Sequence, residues 1–219
     1  EKINEDLIEA LTPEIIKSGA WQKKKFRHYD IKTSVPRIHG GKRHFVNQAI
    51  DYAKKIWLEM GFKEMQGPII TTSFWNFDAL FTPQDHPARD LHDTYFIASK
   101  GKIDPKLLKR VKQAHETGIA GSKGGQYEWS DDESRKLVLR THTTILSAMK
   151  LAELSKTQEV PAKYFAIGRC YRNETLDWKH SFEFNQTEGI VIDENANFLH
   201  LLGYLKEFFT KMGFPQIRF

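Results

Sequence analysis

The amino-acid sequence predicts an α+β fold in which helices flank strands that include an antiparallel hairpin. Two observations carry this prediction. Apolar residues recur every three or four positions over 46–60, as they do on one face of an amphipathic helix. Two strand-like stretches joined by a short polar link begin at Tyr164, and a second amphipathic helix follows from Phe198 to Met212.

The first 43 residues are predicted to form a short helix and then a basic strap. Leu7, Ile8 and Leu11 would form the apolar side of the helix, which breaks near Pro13 and Gly19. Residues 20–43 show little periodicity, so we interpret them as a strap or linker. Within the strap, Asp30 is the one acidic residue. The strap has eight basic residues: Lys23, Lys24, Lys25, Arg27, Lys32, Arg37, Lys42 and Arg43. A polyanion such as nucleic acid is the first partner to consider, and a solvated arm is the alternative.

Composition limits the remaining function classes. The chain has 219 residues, one cysteine, and 33 basic against 28 acidic side chains, for a formal net charge of +5. A single cysteine cannot form an internal disulfide, which excludes a disulfide-stapled secreted scaffold. No apolar run approaches the roughly 20 residues that span a bilayer, and the first residues do not resemble a signal peptide. We therefore expect an intracellular, cytoplasmic protein.

Residues 44–219 are predicted to form one domain. Its first helix, 46–60, ends at Gly61, and a strand from Phe62 to Phe74 follows, with Pro68 indicating an edge position. Residues 99–136 contain a basic helix, 105–115, and a glycine-rich loop inserted between core elements. A strand over 137–140 and a helix over 141–156 come next. Residues 213–219 resemble a new strand that is cut off, so we expect an incomplete chain.

The hairpin from Tyr164 places candidate site residues on one face of each strand, because alternate side chains in a strand share a face. Small residues and then two charged residues share one face of the first strand: Ala166, Gly168, Cys170, Arg172 and Glu174. One face of the return strand has these members: Phe182, Phe184, Gln186, Glu188, Ile190 and Ile192. If the two faces coincide, an arginine, carboxylates and an aromatic ring meet in one cavity.

Such a cavity has the chemistry of a nucleotide or amino-acid site. An arginine can clamp a phosphate, a carboxylate can bind an amino group, and an aromatic ring can stack on a base. The preceding strand would add a face with Val138, Arg140, His142 and Thr144, and Thr143 is a candidate helix cap. The alternative for Arg172 and Glu174 is an ordinary surface ion pair.

Three stretches of the sequence resemble the class II aminoacyl-tRNA synthetases. They are His86–Asp90 continuing to His92–Tyr95, Leu139–Thr144, and Gly168–Gly189 with Tyr-Arg-Asn-Glu at 171–174. Among those enzymes, they are most similar to the alpha (catalytic) subunits of phenylalanyl-tRNA synthetases of the archaeal and eukaryotic-cytosolic type. The stretch 44–70 is similar to the family's motif 1, and 164–192 is similar to its motif 2.

This resemblance implies an antiparallel catalytic sheet flanked by helices and a two-step reaction. Phenylalanine and ATP would give phenylalanyl adenylate, and the acyl group would pass to the terminal ribose of tRNA(Phe). Arg172 would hold the α-phosphate as the catalytic residue, with Glu174 and Phe184 on the adenine and His180 on the outer phosphates. The residues around the substrate's amino end would be His142, Thr144, Gln186 and Glu188. The phosphates would bring Mg²⁺, for which no protein ligands are assigned.

The resemblance also implies partners. The family pairs alpha with a beta subunit in an (alpha-beta)₂ heterotetramer, and the strap residues Lys23, Lys24, Lys25 and Arg27 would then lie near tRNA or the beta subunit. Arg89 and Asp90 either bind substrate or form a salt bridge within a loop, and Trp75 and Phe77 are assigned to the core or an interface.

The sequence departs from the family's pattern at both ends. The family's N-terminal extension, used for tRNA contact, is missing or reduced to residues 1–40. Motif 3, with its second ATP-binding arginine, and the aromatic wall of the phenylalanine pocket are absent, so we expect an incomplete subunit that is inactive alone. The alternatives are a phosphoseryl-tRNA synthetase-like paralogue and a non-catalytic RNA- or protein-binding module on the same fold.

Overall fold

The structure is a computed structural model that describes residues 7–32, 34, 39–90 and 93–219. The chain divides into two compact units, Glu1–Lys42 and Arg43–Phe219. In the first unit, strand β1 (Leu7–Ile8) pairs in parallel with β2 (Lys25–Phe26), and helix α1 (Pro13–Lys17) lies between them in sequence, followed by a 3₁₀ turn at Ala20–Gln22.

The helix predicted around Leu7 and Ile8 is wrong, because these residues form β1 and the helix begins only at Pro13. Thr12 caps that helix by accepting a hydrogen bond from the Ile15 amide at 3.4 Å. Proline is well suited to the first helical position, since it lacks the N–H that would be unsatisfied there. Pro13 therefore starts this helix instead of breaking it. Residues 1–6 of the predicted helix, and Arg37 of the strap, lie outside the described residues.

The second unit contains two three-stranded sheets and six helices among the described residues. The strands are β3 (Lys63–Glu64), β4 (Ile70–Thr72), β5 (Phe96–Lys100), β6 (Lys136–Leu139), β7 (Ala162–Tyr171) and β8 (Glu183–Ile192). The helices are α2 (Phe45–Glu59), α3 (Ser73–Asn76), α4 (Pro105–Glu116), α5 (Asp131–Arg135), α6 (Thr144–Thr157) and α7 (Phe198–Lys211), of which α3 is a single turn. One sheet has the order β3-β7-β8 and the other the order β4-β6-β5.

The predicted α+β class is confirmed, with every strand pair of this unit antiparallel except β3 with β7. The single strand predicted over 62–74 is wrong, because the chain passes from one sheet to the other at Gly67 and Pro68. A side chain on Gly67 would lie 2.4 Å from Leu146, so the backbone approaches α6 closely there. The strand predicted over 213–219 is also wrong: α7 ends at Lys211, Gly213 has a φ of +93°, and residues 214–219 form no strand.

The two faces of the β7–β8 hairpin are covered differently. Residues Trp57 of α2 and Phe208 of α7 pack with Phe165 on one face. Ile145 and Leu146 of α6 pack on Ala166 of the other face. By alternation along the strand, this second face also carries Gly168, Cys170 and Arg172. Cys170 is buried there, whereas Arg172, just past the end of β7, is exposed.

The inserted segment packs on the second sheet's side of the unit. Leu108 of α4 joins Phe74, Ile103 and Trp129 in a separate apolar cluster. The helix predicted over 105–115 is confirmed as α4. None of the helices in the described part of the chain is both long and apolar enough to cross a membrane.

Candidate active site

The hairpin register brings the predicted residues to one face. Gly168 lies opposite Gln186, Cys170 opposite Phe184, and Ala166 opposite Glu188. Directly opposed residues of an antiparallel pair point to the same side of the sheet. The predicted coincidence of the two faces is therefore confirmed.

A buried asparagine shapes the turn that follows β6. Asn76 donates from Nδ2 to Thr141 Oγ1 at 3.0 Å and accepts from the Thr141 amide at 3.1 Å. The backbone carbonyl oxygen of Asn76 lies 3.1 Å from His142 Nε2. Sequence analysis missed Asn76. Its position within an aromatic-rich stretch is a recognisable signal, because a polar side chain that is buried there needs hydrogen-bond partners. The result is a fixed turn that presents Thr141 and His142 to the site.

His142 is a neutral imidazole in this setting. Burial lowers its pKa, which favours the uncharged ring. A carbonyl oxygen can only accept, so Nε2 carries the hydrogen and Nδ1 is left as an acceptor. Nδ1 is buried and has no hydrogen-bond partner among the described residues. His142 therefore offers an unused acceptor beside the cavity.

A cavity of about 610 Å³ lies between this turn, the end of β7 and parts of the segments 77–88 and 93–94. One wall is polar and consists of Thr141, His142, Arg172 and Glu174. The opposite wall comes from the loop after α3 and is partly apolar; its members include Phe77, Phe81, Thr82, Pro83, His86, Ala88, Asp93 and Thr94. Its size and mixed lining suit a small ligand that has both charged and flat parts.

Arg172 is held at the edge of this cavity by three contacts. Nε donates to the Thr141 carbonyl at 3.3 Å, Nη1 lies 3.8 Å from Glu174 Oε1, and the guanidinium lies 5.1 Å from the centre of the Phe184 ring. A guanidinium has five N–H groups, so most of its donors stay available for an anion. The structure thus brings together Arg172, Glu174 and Phe184, as the sequence predicted.

Glu188 is bound by hydroxyls from the start of α6. Its Oε2 accepts from Thr144 at 2.7 Å and from Thr143 at 3.4 Å, and its Oε1 accepts from Ser147. Thr143 occupies the N-cap position, but its side chain makes no capping bond, so that part of the prediction is wrong. The hydroxyl bonds to the nearby carboxylate instead. Sequence analysis missed Ser147. It follows Thr144 by three residues and Thr143 by four, and residues at these spacings share a helix face.

Gln186 and Cys170 lie close together on this face of the hairpin, and neither lines the cavity. Gln186 Oε1 accepts from the Thr143 amide at 3.4 Å and lies 3.7 Å from Cys170 Sγ. Burial raises the pKa of the Cys170 thiol to about 11, so it stays protonated near neutral pH. Cys170 is therefore a structural thiol beneath the site.

Arg140 does not face the cavity as the strand model predicted, because β6 ends at Leu139 and the chain turns. Its guanidinium is buried between the two sheets, where Nε donates to the Arg169 carbonyl at 2.6 Å. A side chain on Gly168 would lie 2.2 Å from Arg140 Nη2. Gly168 is thus required by the close approach of this arginine.

Arg89 forms a salt bridge within the cavity wall, which resolves one alternative left open by the sequence. Its Nη2 donates to Asp78 Oδ1 at 2.6 Å and to the Thr82 carbonyl, and Nη1 donates to Ser73 Oγ at 3.3 Å. The side chains are 7% and 0% exposed. Arg89 therefore holds the loop 78–89 in place from behind. Its sequence neighbour His92 lies outside the described residues.

His180 lies in the exposed loop between β7 and β8 and is not part of the cavity lining. Its Nδ1 is 2.9 Å from Asp177 Oδ2, and this bond raises the pKa of His180. Its predicted contact with outer phosphates stays a prediction.

In the first unit, Arg27 lies 2.5 Å from Glu9 Oε1, while Lys23 and Lys25 are exposed.

Comparison with known proteins places the chain in a family. Residues 28–219 match the family model described as "tRNA synthetases class II core domain (F)". The chain therefore belongs to the class II tRNA synthetase core-domain family.

Individual relatives are more specific. The chain is 50% identical over 216 residues to a protein of Archaeoglobus fulgidus named phenylalanine--tRNA ligase alpha subunit, covering 98% of this chain and 45% of the relative. It is 45% identical over 214 residues to the protein of the same name from Mus musculus, covering 95% and 42%. The chain spans less than half the length of these relatives.

Solved structures agree on the fold. Pyrrolysyl-tRNA synthetase from Desulfitobacterium hafniense is similar with a TM-score of 0.55 and 15% identity, covering 79% of this chain and 49% of that one. At this identity the similarity concerns the fold alone.

Proposed function

We propose that this chain is part of the catalytic subunit of a phenylalanine–tRNA ligase. The carboxylate of phenylalanine would attack the α-phosphorus of ATP, forming the acyl–phosphate bond as pyrophosphate leaves. The terminal ribose hydroxyl of tRNA(Phe) would then attack the acyl carbon and release AMP. The observation that carries the proposal is a cavity lined by Arg172 and Glu174, with the Phe184 ring 5.1 Å from the Arg172 guanidinium, in a chain whose relatives bear that name.

Arg172 is the proposed catalytic residue. Charge builds up on the α-phosphate oxygens as the phosphorus becomes five-coordinate, and a guanidinium with free N–H groups stabilises it. The Thr141 carbonyl fixes one edge of the guanidinium, which leaves the other nitrogens for the phosphate. Phe184 would stack on adenine, Glu174 would accept from the adenine amino group, and His180 would reach the outer phosphates by movement of its loop.

Glu188 is the proposed partner of the substrate's ammonium group. Three hydroxyls bind its carboxylate, and each carboxylate oxygen can accept two hydrogen bonds, so Oε1 retains one acceptor position. Thr144 then acts by orienting Glu188. Gln186 and the unused Nδ1 of His142 would complete the polar surroundings of the amino group.

Mg²⁺ would enter with ATP. No group of three or more His, Cys, Asp or Glu side chains within the described ranges could hold a metal ion. Mg²⁺ commonly relies on substrate phosphates plus one or two carboxylates, and Asp93 is the carboxylate in the cavity lining that the proposed adenine contacts leave for it. The bound ion would neutralise phosphate charge.

We further propose that the complete enzyme acts in the cytoplasm as an (alpha-beta)₂ heterotetramer, with the strap residues 23–27 near tRNA or the beta subunit. The names of the relatives support the alpha-subunit assignment.

Phenylalanine-dependent ATP–pyrophosphate exchange by the full-length protein with its beta partner tests this function. Arg172→Ala should lower exchange by at least about 100-fold, since one charge-stabilising donor is worth that much in kcat. Arg169→Ala is the matched control, because Arg169 is exposed, lies three residues earlier on the same hairpin and pairs with Glu183. Exchange driven by another amino acid, or equal activity in both variants, would contradict the proposal.

A further inference from the structure

The exposed side of helix α4 carries a cluster of cations that the proposed catalytic site does not use. We define the α4 cationic face as Lys106, Lys109 and Arg110 on the helix together with Lys102, which precedes the helix in the chain; all four are exposed. Lys106, Lys109 and Arg110 follow the three- and four-residue spacing of one helix side. Asp104, the N-cap residue, is the one acid between positions 102 and 112.

These four cations differ from most others in the same unit. Elsewhere carboxylates pair with the lysines, as Glu64 does with Lys54, Glu159 with Lys63 and Asp132 with Lys100. No carboxylate of a described residue lies within salt-bridge distance of any member of the α4 cationic face. The face therefore presents uncompensated positive charge in a rigid array.

The opposite side of α4 fixes this array and reaches the cavity wall. Leu108 is buried against Phe74 and Trp129, so the helix cannot rotate freely. His115 Nε2 lies 2.8 Å from the Asp78 carbonyl, and the His115 ring stacks on Phe81 at 5.8 Å. Phe81 lines the cavity. A long ligand bound across the cationic face would thus lie on the outside of the element that supports the cavity wall.

We propose that the α4 cationic face binds the phosphate backbone of the RNA whose 3′ end enters the cavity. This inference rests on the proposed function, which supplies tRNA as a substrate. Lys106 and Arg110 are separated by about 6 Å along the helix axis, at 1.5 Å per residue. An array at that spacing can contact successive phosphates, and lysine and arginine bound to phosphates release counterions from the RNA. Such contacts position the RNA without reading its sequence.

The test is the salt dependence of RNA binding by the full-length protein with its beta partner. The variant Lys106→Gln, Lys109→Gln, Arg110→Gln removes three exposed cations, and glutamine is almost as good a helix former as lysine or arginine. With a phenylalanine tRNA transcript as the probe, the slope of log Kd against log[KCl] should become shallower by about 2 to 3. The Kd at moderate salt should rise roughly 10- to 100-fold.

A matched control removes the same charge elsewhere in the unit through Lys55→Gln, Lys156→Gln, Lys206→Gln, all at exposed positions. The control should keep the wild-type slope, and both variants should keep wild-type pyrophosphate exchange. An unchanged slope in the α4 variant, equal losses in both variants, or loss of beta-subunit binding in place of RNA binding would overturn the proposal. Absence of exchange in the wild type would instead refute the proposed function, so the two failures are distinguishable.

Discussion

The buried salt bridge between Asp78 and Arg89 gives the sharpest stability prediction. Asp78→Asn keeps the shape of the side chain but removes its charge, and Arg89 then remains buried without a counter-ion. The two side chains are 0% and 7% exposed, so solvent cannot replace the lost partner. Removing one member of a buried ion pair costs about 3–5 kcal/mol of unfolding free energy. We expect Asp78→Asn to lose stability in that range.

The reciprocal change should behave differently with pH. Burial already raises the pKa of Asp78, and Arg89 is the largest opposing influence. In Arg89→Met the pKa of Asp78 therefore rises further above its unfolded value. A carboxyl group with a raised folded-state pKa favours folding most at low pH, and this contribution is lost as pH rises through the folded-state pKa. Arg89→Met should thus recover stability on acidification from pH 7 to pH 5, whereas Asp78→Asn should not.

Equilibrium urea unfolding at both pH values, followed by tryptophan fluorescence, measures these differences. Trp129 is buried in the apolar cluster next to this wall and reports on it. Glu159→Gln is the control, because its pair with Lys63 is exposed and should leave the unfolding free energy unchanged. A loss below about 1 kcal/mol for Asp78→Asn would refute the reasoning, because it would mean that Arg89 is not confined as the structure shows.

Three further predictions concern the site and the strap. Glu188→Gln should raise the KM for phenylalanine in pyrophosphate exchange about 10- to 100-fold and leave the KM for ATP unchanged, since a charged hydrogen bond is weakened; a matching rise for ATP would contradict its role. Gly168→Ala should lower the unfolding free energy by about 1–3 kcal/mol in urea titrations, because the confined Arg140 must move; wild-type stability would show that it moves freely. The substitutions Lys23→Gln, Lys24→Gln and Lys25→Gln together should weaken tRNA binding in filter assays but leave pyrophosphate exchange unchanged. Unchanged tRNA binding would indicate that the strap is a solvated arm.

Periodicity predicted the elements that depend on local patterns. The helix after residue 44, helix α4 and the β7–β8 hairpin with its shared face were all predicted correctly. In each case an apolar repeat or a strict alternation of side chains determines which face is buried, so the sequence contains the information. The same alternation placed Arg172 beside Phe184.

Non-local contacts account for what the sequence analysis missed. The strand predicted over 62–74 is divided because Gly67 must pass close to Leu146, a contact 79 positions away in sequence. Asn76 and Ser147 belong to the site only because tertiary packing brings them to Thr141 and Glu188. Arg140 was expected at the cavity but is buried beneath Gly168, since the chain leaves the strand one residue earlier.

The most direct test of the central claim is the identity of the amino acid that is attached to tRNA. The full-length protein with its beta partner is incubated with ATP, Mg²⁺, a phenylalanine tRNA transcript and an equimolar mixture of the standard amino acids. Mass spectrometry of the esterified 3′-terminal nucleoside then identifies the product. The account predicts phenylalanyl ester in wild type and in Arg169→Ala, and its loss in Arg172→Ala. An ester of another amino acid, or undiminished phenylalanyl ester in Arg172→Ala, would contradict it.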